Sequence, residues 1–168
     1  MSGSEIFKTE RFCVREFRES DREAFLACHR DPTFARFHRP DERSEKHLSA
    51  VFDLFLAWQH QDPRQNFQFA ISKADNNDGY VGNTGFRTNG LAAGVCELGI
   101  ELIPAVWHCG AATEILRAFV PWVRAHYEID TFIAETAPGN AAAERLATAF
   151  GMRATGQEAK RYWRLQLV

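Results

Sequence analysis

No stretch of this chain is apolar for long enough to cross a bilayer, which takes about 20 helical residues. The first residues, MSGSEIFKTERF, contain no apolar core of the kind a signal peptide needs, so none is expected. Neither charge sign dominates: 20 Lys and Arg against 22 Asp and Glu give a net charge of -2 and a pI near 6.3. That excludes a general pull toward nucleic acid or a membrane surface, so a polyanion site would have to be local. Cysteine is sparse, and Cys13, Cys28, Cys96 and Cys109 share neither a CxxC nor a metal-ligand spacing. This pattern fits reduced thiols in a cytoplasmic protein. His29, His38, His47, His60, His108 and His126 are equally scattered, so no metal site is expected. There is no repeat, no low-complexity linker and no G-x-G-x-x-G dinucleotide loop. A length of 168 residues suits one domain, 1–168, around a single core.

What is present reads as alternating strands and helices. RFCVREF alternates over 11–17, giving a first strand. SDRE follows as a capping box, with Ser20 at the N-cap and Glu23 three residues on. That helix should end near His29, before Asp31-Pro32. Ser44 starts a second helix, whose Leu48, Val51, Phe52, Phe55 and Trp58 form an apolar stripe. FQFAIS (67–72) has period two, with Phe67, Phe69 and Ile71 on one face. KADNNDG is a turn, YVGNTGFRT a strand, NGLAAG a turn and VCELGIELI (95–103) a longer strand. A helix is predicted over Ala111 to Tyr127, with Ile115, Phe119, Trp122, Val123 and His126 on one face. Pro121 falls inside it and predicts a kink or a break. TFIAETA (131–137) is a strand, and Asn140 caps the helix AAAERLATAF, which Gly151 ends. MRATG and KRYWRLQLV close the chain as strands. The order is that of a mixed α+β domain, a mainly antiparallel sheet covered by helices.

One short stretch, PAVWHCGAATEILRAF (104–119), has small residues just where a helix begins. A helix N-terminus offers unpaired N–H groups and partial positive charge, and small residues let a phosphate come close. Tight packing of the helix on the sheet would also explain them.

The element order and three motifs in sequence resemble the GNAT acetyltransferase superfamily, in particular its ribosomal-protein N-terminal acetyltransferase branch. The motifs are ELGIELIP, the loop Trp107-His108-Cys109-Gly110-Ala111-Ala112 followed by TE, and the later asparagine of NAAAERLATAFGM. The likeness covers nearly the whole chain, from TERFCVREFRESDREAF to NAAAERLATAFGM. It implies a GNAT fold with a mixed sheet of about seven strands and about four helices. It also implies acetyl-CoA as co-substrate, an amine acceptor such as a protein N-terminus or a small amine, and a monomer or homodimer.

By the same resemblance, backbone N–H groups from Cys109 through Thr113 wrap the cofactor's pyrophosphate. Trp107 and His108 belong to that loop, and Asn140 contacts the pantetheine arm. That arm lies along Leu98, Ile100 and Leu102, where the 95–103 strand splays from the 131–137 strand. A backbone N–H near Leu98 to Ile100 would stabilise the oxyanion. Glu97 and Glu135 are the candidate bases, each also readable as a solvated or arginine-paired carboxylate; Glu101 shares the face of Glu97 by period two. Cys109 reads either as an activated thiol or as a packing residue. Two departures stand out: Ala143 replaces the motif serine, and Ala147 occupies the place of a general-acid tyrosine. Water or Tyr162 would then protonate the leaving thiolate. The turn GQEA between the last strands is short, which implies an open acceptor site, and HRPDER (38–43) reads as a loop at its mouth. The two alanines also leave room for a different reading, an acyl-CoA-binding sensor or scaffold without turnover.

Overall fold

The computed structural model describes residues 4–157 and 161–167. Its strands are β1 (Glu5–Lys8), β2 (Phe12–Glu16), β3 (Asn66–Lys73), β4 (Asn76–Arg87), β5 (Val95–Leu102), β6 (Thr131–Thr136), β7 (Arg153–Gln157) and β8 (Arg161–Gln166). Its helices are α1 (Arg22–Arg30), α2 (Pro32–Ala35), α3 (Glu45–Trp58), α4 (Ala111–Tyr127) and α5 (Ala141–Ala149). The strands form one sheet in the order β1-β2-β3-β4-β5-β6-β8-β7. Every neighbouring pair is antiparallel except β5 and β6, which the α4 crossover makes parallel.

Period two in the strands sends side chains to two separate cores. Phe67, Phe69 and Ile71 of β3 face α4, where Ile115, Phe119 and Val123 meet them. Ala70, between them, faces the other way with Phe17 and Tyr80, under Phe25 of α1 and Phe52 and Phe55 of α3. A two-sided sheet with helices on both faces follows. Phe67 and Phe86 lie opposite each other on β3 and β4 and stack, with ring centres 4.4 Å apart.

Several sequence expectations need correction. The sheet has eight strands where about seven were expected. The extra strand, EIFK, is too short to show a period and is held by pairing with β2. Ser20 is not an N-cap: a 3-10 turn covers Glu19–Asp21, and Asp21, not Ser20, accepts the Arg18 N–H at 2.8 Å. Asp31-Pro32 ends α1 but also opens α2, because the Asp31 carboxylate accepts the Thr33 N–H at 2.7 Å. α4 continues through Pro121 without a break. Pro121 is exposed, so water can reach the Arg117 carbonyl that lost its partner, while Phe119, Val120 and Val123 stay buried. Leu116 and Val120 join the buried face of α4, whereas His126 is exposed and stacks on Trp122. Ser44 and Asn140 cap α3 and α5 as expected. Residues 158–160, which hold part of the GQEA turn, lie outside the described residues.

The α1/α3 side is tied to the sheet by a buried ion pair. Arg15 on β2 is wholly buried and forks onto Asp21, with both N–O distances 2.8 Å. Its other donors reach the Asn77 and Glu16 carbonyls at 3.0 and 3.1 Å. A pair this well satisfied is tolerated in a low-dielectric interior, but losing one member strands the other charge. Asp21→Ala should therefore destabilise the fold by about 3–5 kcal/mol in urea unfolding; a loss under about 1 kcal/mol, the range of surface pairs, would mean that Arg15 finds solvent or another partner.

Candidate active site

The parallel contact between β5 and β6 is short. Val95, Cys96 and Glu97 pair with Thr131, Phe132 and Ile133, and the pairing then stops. Beyond that point β5 stays on β4 as far as Leu102, and β6 stays on β8 through Thr136. The two facing edges diverge around a cleft, lined by Leu98 and Ile100 on one side and Ala134 and Glu135 on the other. Leu116 of α4 and Ala143 and Ala147 of α5 complete an apolar wall. An open strand edge carries N–H and C=O groups in need of partners, so an extended molecule with amide groups can fill the gap as an added strand.

At the end of β5 the chain turns sharply. The Trp107 indole N–H donates to the Leu102 carbonyl at 2.7 Å, and His108 and Gly110 adopt left-handed φ angles of 59° and 77°. His108, Cys109 and Gly110 are exposed. α4 begins directly after Gly110, which has no side chain to cap it, and the Glu114 N–H is the one that reaches back to the Gly110 carbonyl at 3.0 Å. The amides of the first turn therefore point out of the helix start, where an anion would meet them. Glu114 sits in that turn, but Arg11 pairs with it at 2.6 Å and offsets its charge. Lys8 and Arg117 border the same groove with Gly110 and Thr113.

The other predicted residues divide. Leu102 does not line the cleft: it is buried in the core and its carbonyl is taken by Trp107. Asn140 uses its side-chain oxygen to cap α5 through the Ala143 N–H at 3.2 Å. Glu97 is half-buried opposite Arg87, 3.7 Å away. Glu135 is exposed at the cleft and lies across from Tyr162. Cys109 is exposed, and its thiol donates to the Val106 carbonyl at 3.0 Å.

Sequence reasoning missed a cluster on the α1/α3 face of the sheet. Glu101 of β5 meets His38 Nε2 at 3.2 Å and His29 Nε2 at 3.7 Å, and Asn83 Nδ2 donates to it at 3.3 Å. Two residues back on the same face is Gly99, exposed, where an added side chain would meet nothing within 4 Å. Burial pushes the Glu101 carboxyl up, but the His38 hydrogen bond, the charge of both imidazoles and Asn83 outweigh it and hold it below the usual carboxylate range. Hydrogen bonding to Glu101 raises His38, while burial lowers His29. The period-two link of Glu101 to Glu97 was the one local signal, because residues 29, 38 and 101 meet only in three dimensions.

Comparison with known proteins adds a family. A model of the acetyltransferase (GNAT) domain matches residues 11–153. An uncharacterized N-acetyltransferase, YoaA of Bacillus subtilis (strain 168), is 24% identical over 153 residues, covering 90% of this chain and 84% of YoaA. The crystal structure of an acetyltransferase from Agrobacterium tumefaciens str. C58 superposes with a TM-score of 0.79 at 18% identity, covering 99% of this chain and 96% of its own. Mycobacterium smegmatis RimJ, in complex with CoA-disulfide, gives 0.74 at 14% identity over 92% of this chain and 81% of its own. At these identities the two structures show a shared fold. No helix among the described residues is long and apolar enough to cross a membrane.

The raised His38 pKa has a consequence for stability. The folded state binds that proton more tightly than the unfolded chain does, so the contribution is complete below about 6.5 and is lost as pH climbs through the raised value. His38→Gln should then cost more stability at pH 6 than at pH 8, read from urea midpoints; equal losses at both would mean that His38 gains no proton affinity on folding.

Proposed function

The chain belongs to the GNAT acetyltransferase domain family, and on that premise we propose that it moves an acetyl group from acetyl-CoA to a primary amine by direct attack on the thioester. The observation that carries this reading is the β5–β6 divergence after Glu97 and Ile133. It leaves a strand-shaped, apolar cleft whose open edge matches the amides of a pantetheine arm. After β5 the chain reaches the bare start of α4, where the amides of Cys109 through Thr113, with Lys8 and Arg117 beside them, suit a pyrophosphate. The RimJ structure is a complex with CoA-disulfide, which supports the same occupant here.

With the arm in place, the thioester lies beside Leu98 to Ile100, and a free backbone N–H of that edge stabilises the oxyanion. The amine nitrogen bonds to the carbonyl carbon, the C–S bond breaks and CoA leaves as a thiolate. A thiol pKa near 8.5 makes that departure feasible at neutral pH without a side-chain acid. Ala147 is then no obstacle, and the positive end of α4 eases the charge. The acceptor is a protein N-terminus or a small amine, as in the ribosomal-protein branch that the sequence resembles. Ala143 and Ala147 in the cleft wall also favour a second reading, an acyl-CoA-binding sensor without turnover. Release of CoA thiol with a panel of peptides and amines separates the two.

The cofactor site is tested at Gly110. Its φ of 77° is left-handed, a region that aspartate tolerates better than most residues, and an added Cβ meets nothing nearer than Arg11 at 3.8 Å. Gly110→Asp should keep the fold while placing a carboxylate where the phosphates would lie. Calorimetry should show acetyl-CoA affinity reduced at least 10-fold, about 1.4 kcal/mol; unchanged affinity would remove the pyrophosphate from this loop.

A further inference from the structure

We propose that Glu101 and His38 act as one base, Glu101 meeting the acceptor amine and His38 sharing the proton that the carboxylate takes up. This assignment rests on the transferase reading and names the acceptor side of the same site. Glu101 follows directly on the Leu98–Ile100 segment beside which the thioester would lie. It stands on the face that Gly99 leaves open, so an amine can come to the carbonyl over that glycine.

The carboxylate is held in place from several sides. Gln68 Nε2 donates to Asn83 Oδ1 at 2.6 Å, and Asn83 Nδ2 in turn reaches both Tyr80 Oη at 2.9 Å and Glu101 Oε2 at 3.3 Å. His29 is fixed through Nδ1 to the Phe25 carbonyl at 2.9 Å, and His38 stacks on Phe34 with ring centres 4.9 Å apart. The Phe34 backbone supports the buried side of the His38 ring, and Nε2 is the nitrogen that meets Glu101, so the proton they exchange lies between Nε2 and the carboxylate. A reactive group anchored this way keeps its geometry while substrate comes and goes. Glu97, the carboxylate on the same strand, has an arginine opposite it and no imidazole.

A pair does what neither member does alone. A carboxylate held below its usual range is a weak base toward an amine at neutral pH, while an imidazole raised above 6.5 is close to the working pH. The titration then belongs to the pair. The charged and titratable groups around the pair are Glu42 and His29 beside His38, Arg43 on the His38 carbonyl, and Cys28 of α1 and Tyr80 of β4 in the field of Glu101. In the step, the C–N bond forms, the C–S bond breaks, the thiolate departs, and the amine's N–H proton ends on the pair, from which water removes it.

The test is kcat and kcat/KM against pH for wild type, Glu101→Gln and His38→Gln. Acetyl-CoA is used with tetrapeptides bearing free N-terminal alanine or serine and with spermidine, and CoA thiol release is followed with and without EDTA. Wild type should rise through a single pKa above 6.5. Glu101→Gln should lose roughly 10²-fold in kcat with its acetyl-CoA Kd unchanged, which also reports that it folds. His38→Gln should move the rising limb to lower pH, a change that a merely structural histidine would not produce; if Glu101→Gln fails to bind acetyl-CoA, this shift decides alone. Wild-type profiles in both variants, transfer of the loss to Glu97→Gln, or activity abolished by EDTA would overturn the pair. Absence of CoA release from wild type with every probe, while acetyl-CoA binds, would overturn the transferase reading itself and the base with it.

Discussion

The separation of β5 from β6 is the constraint on which the rest of the site depends. A parallel pair inside a sheet normally continues as long as both strands do, because each broken step leaves two backbone groups without partners. Here each strand keeps its antiparallel neighbour and gives up the parallel one after three residues. The freed edges cannot be covered by apolar side chains, which accept no hydrogen bonds. They need water or a ligand with amides of its own. A fold that leaves this edge open spends stability on a binding site.

Small residues keep that site usable. Gly99 leaves the α1/α3 face of β5 bare, Ala143 and Ala147 thin the wall formed by α5, and Gly110 lets the chain turn left-handed into α4. Most of the aromatic side chains gather in the two clusters on either side of the sheet. The division follows from strand period two: along β5, Leu98 and Ile100 pack with the α4 core while Glu97, Gly99 and Glu101 look toward the other face. One strand thus presents apolar side chains to the cleft side and carboxylates to the α1/α3 side.

The α1/α3 layer contributes polar groups as well as packing. Arg15 and Asp21 anchor its start, and His29 and His38 at its far end reach Glu101 on the sheet. Buried polar groups are costly unless satisfied, so such a network persists only with its partners in place. Here the partners are drawn from β2, α1, the turn after α2, β4 and β5, which makes the network a property of the whole assembly.

Sequence alone determined the elements whose signals are local. Ser44 and Asn140 announced their helices by cap chemistry, the FQFAIS alternation placed Phe67, Phe69 and Ile71 on one face, and the small residues before α4 marked where that helix starts. These follow from interactions within a few residues of chain, which is why they can be read off it. Tertiary structure decided what depends on distant contacts. EIFK became a strand because β2 offered it an edge, and Asp21, not Ser20, stands directly before α1, its carboxylate held by Arg15 and by the Arg18 N–H. α4 ran through Pro121 because its buried neighbours outweigh one lost hydrogen bond on the solvent side. The meeting of His29 and His38 with Glu101 has no local signature at all. His38 and Glu101, 63 residues apart, are brought within hydrogen-bond reach, and His29 to 3.7 Å, only by packing α1 and the turn after α2 onto the sheet, and their proton affinities exist only once that packing is complete.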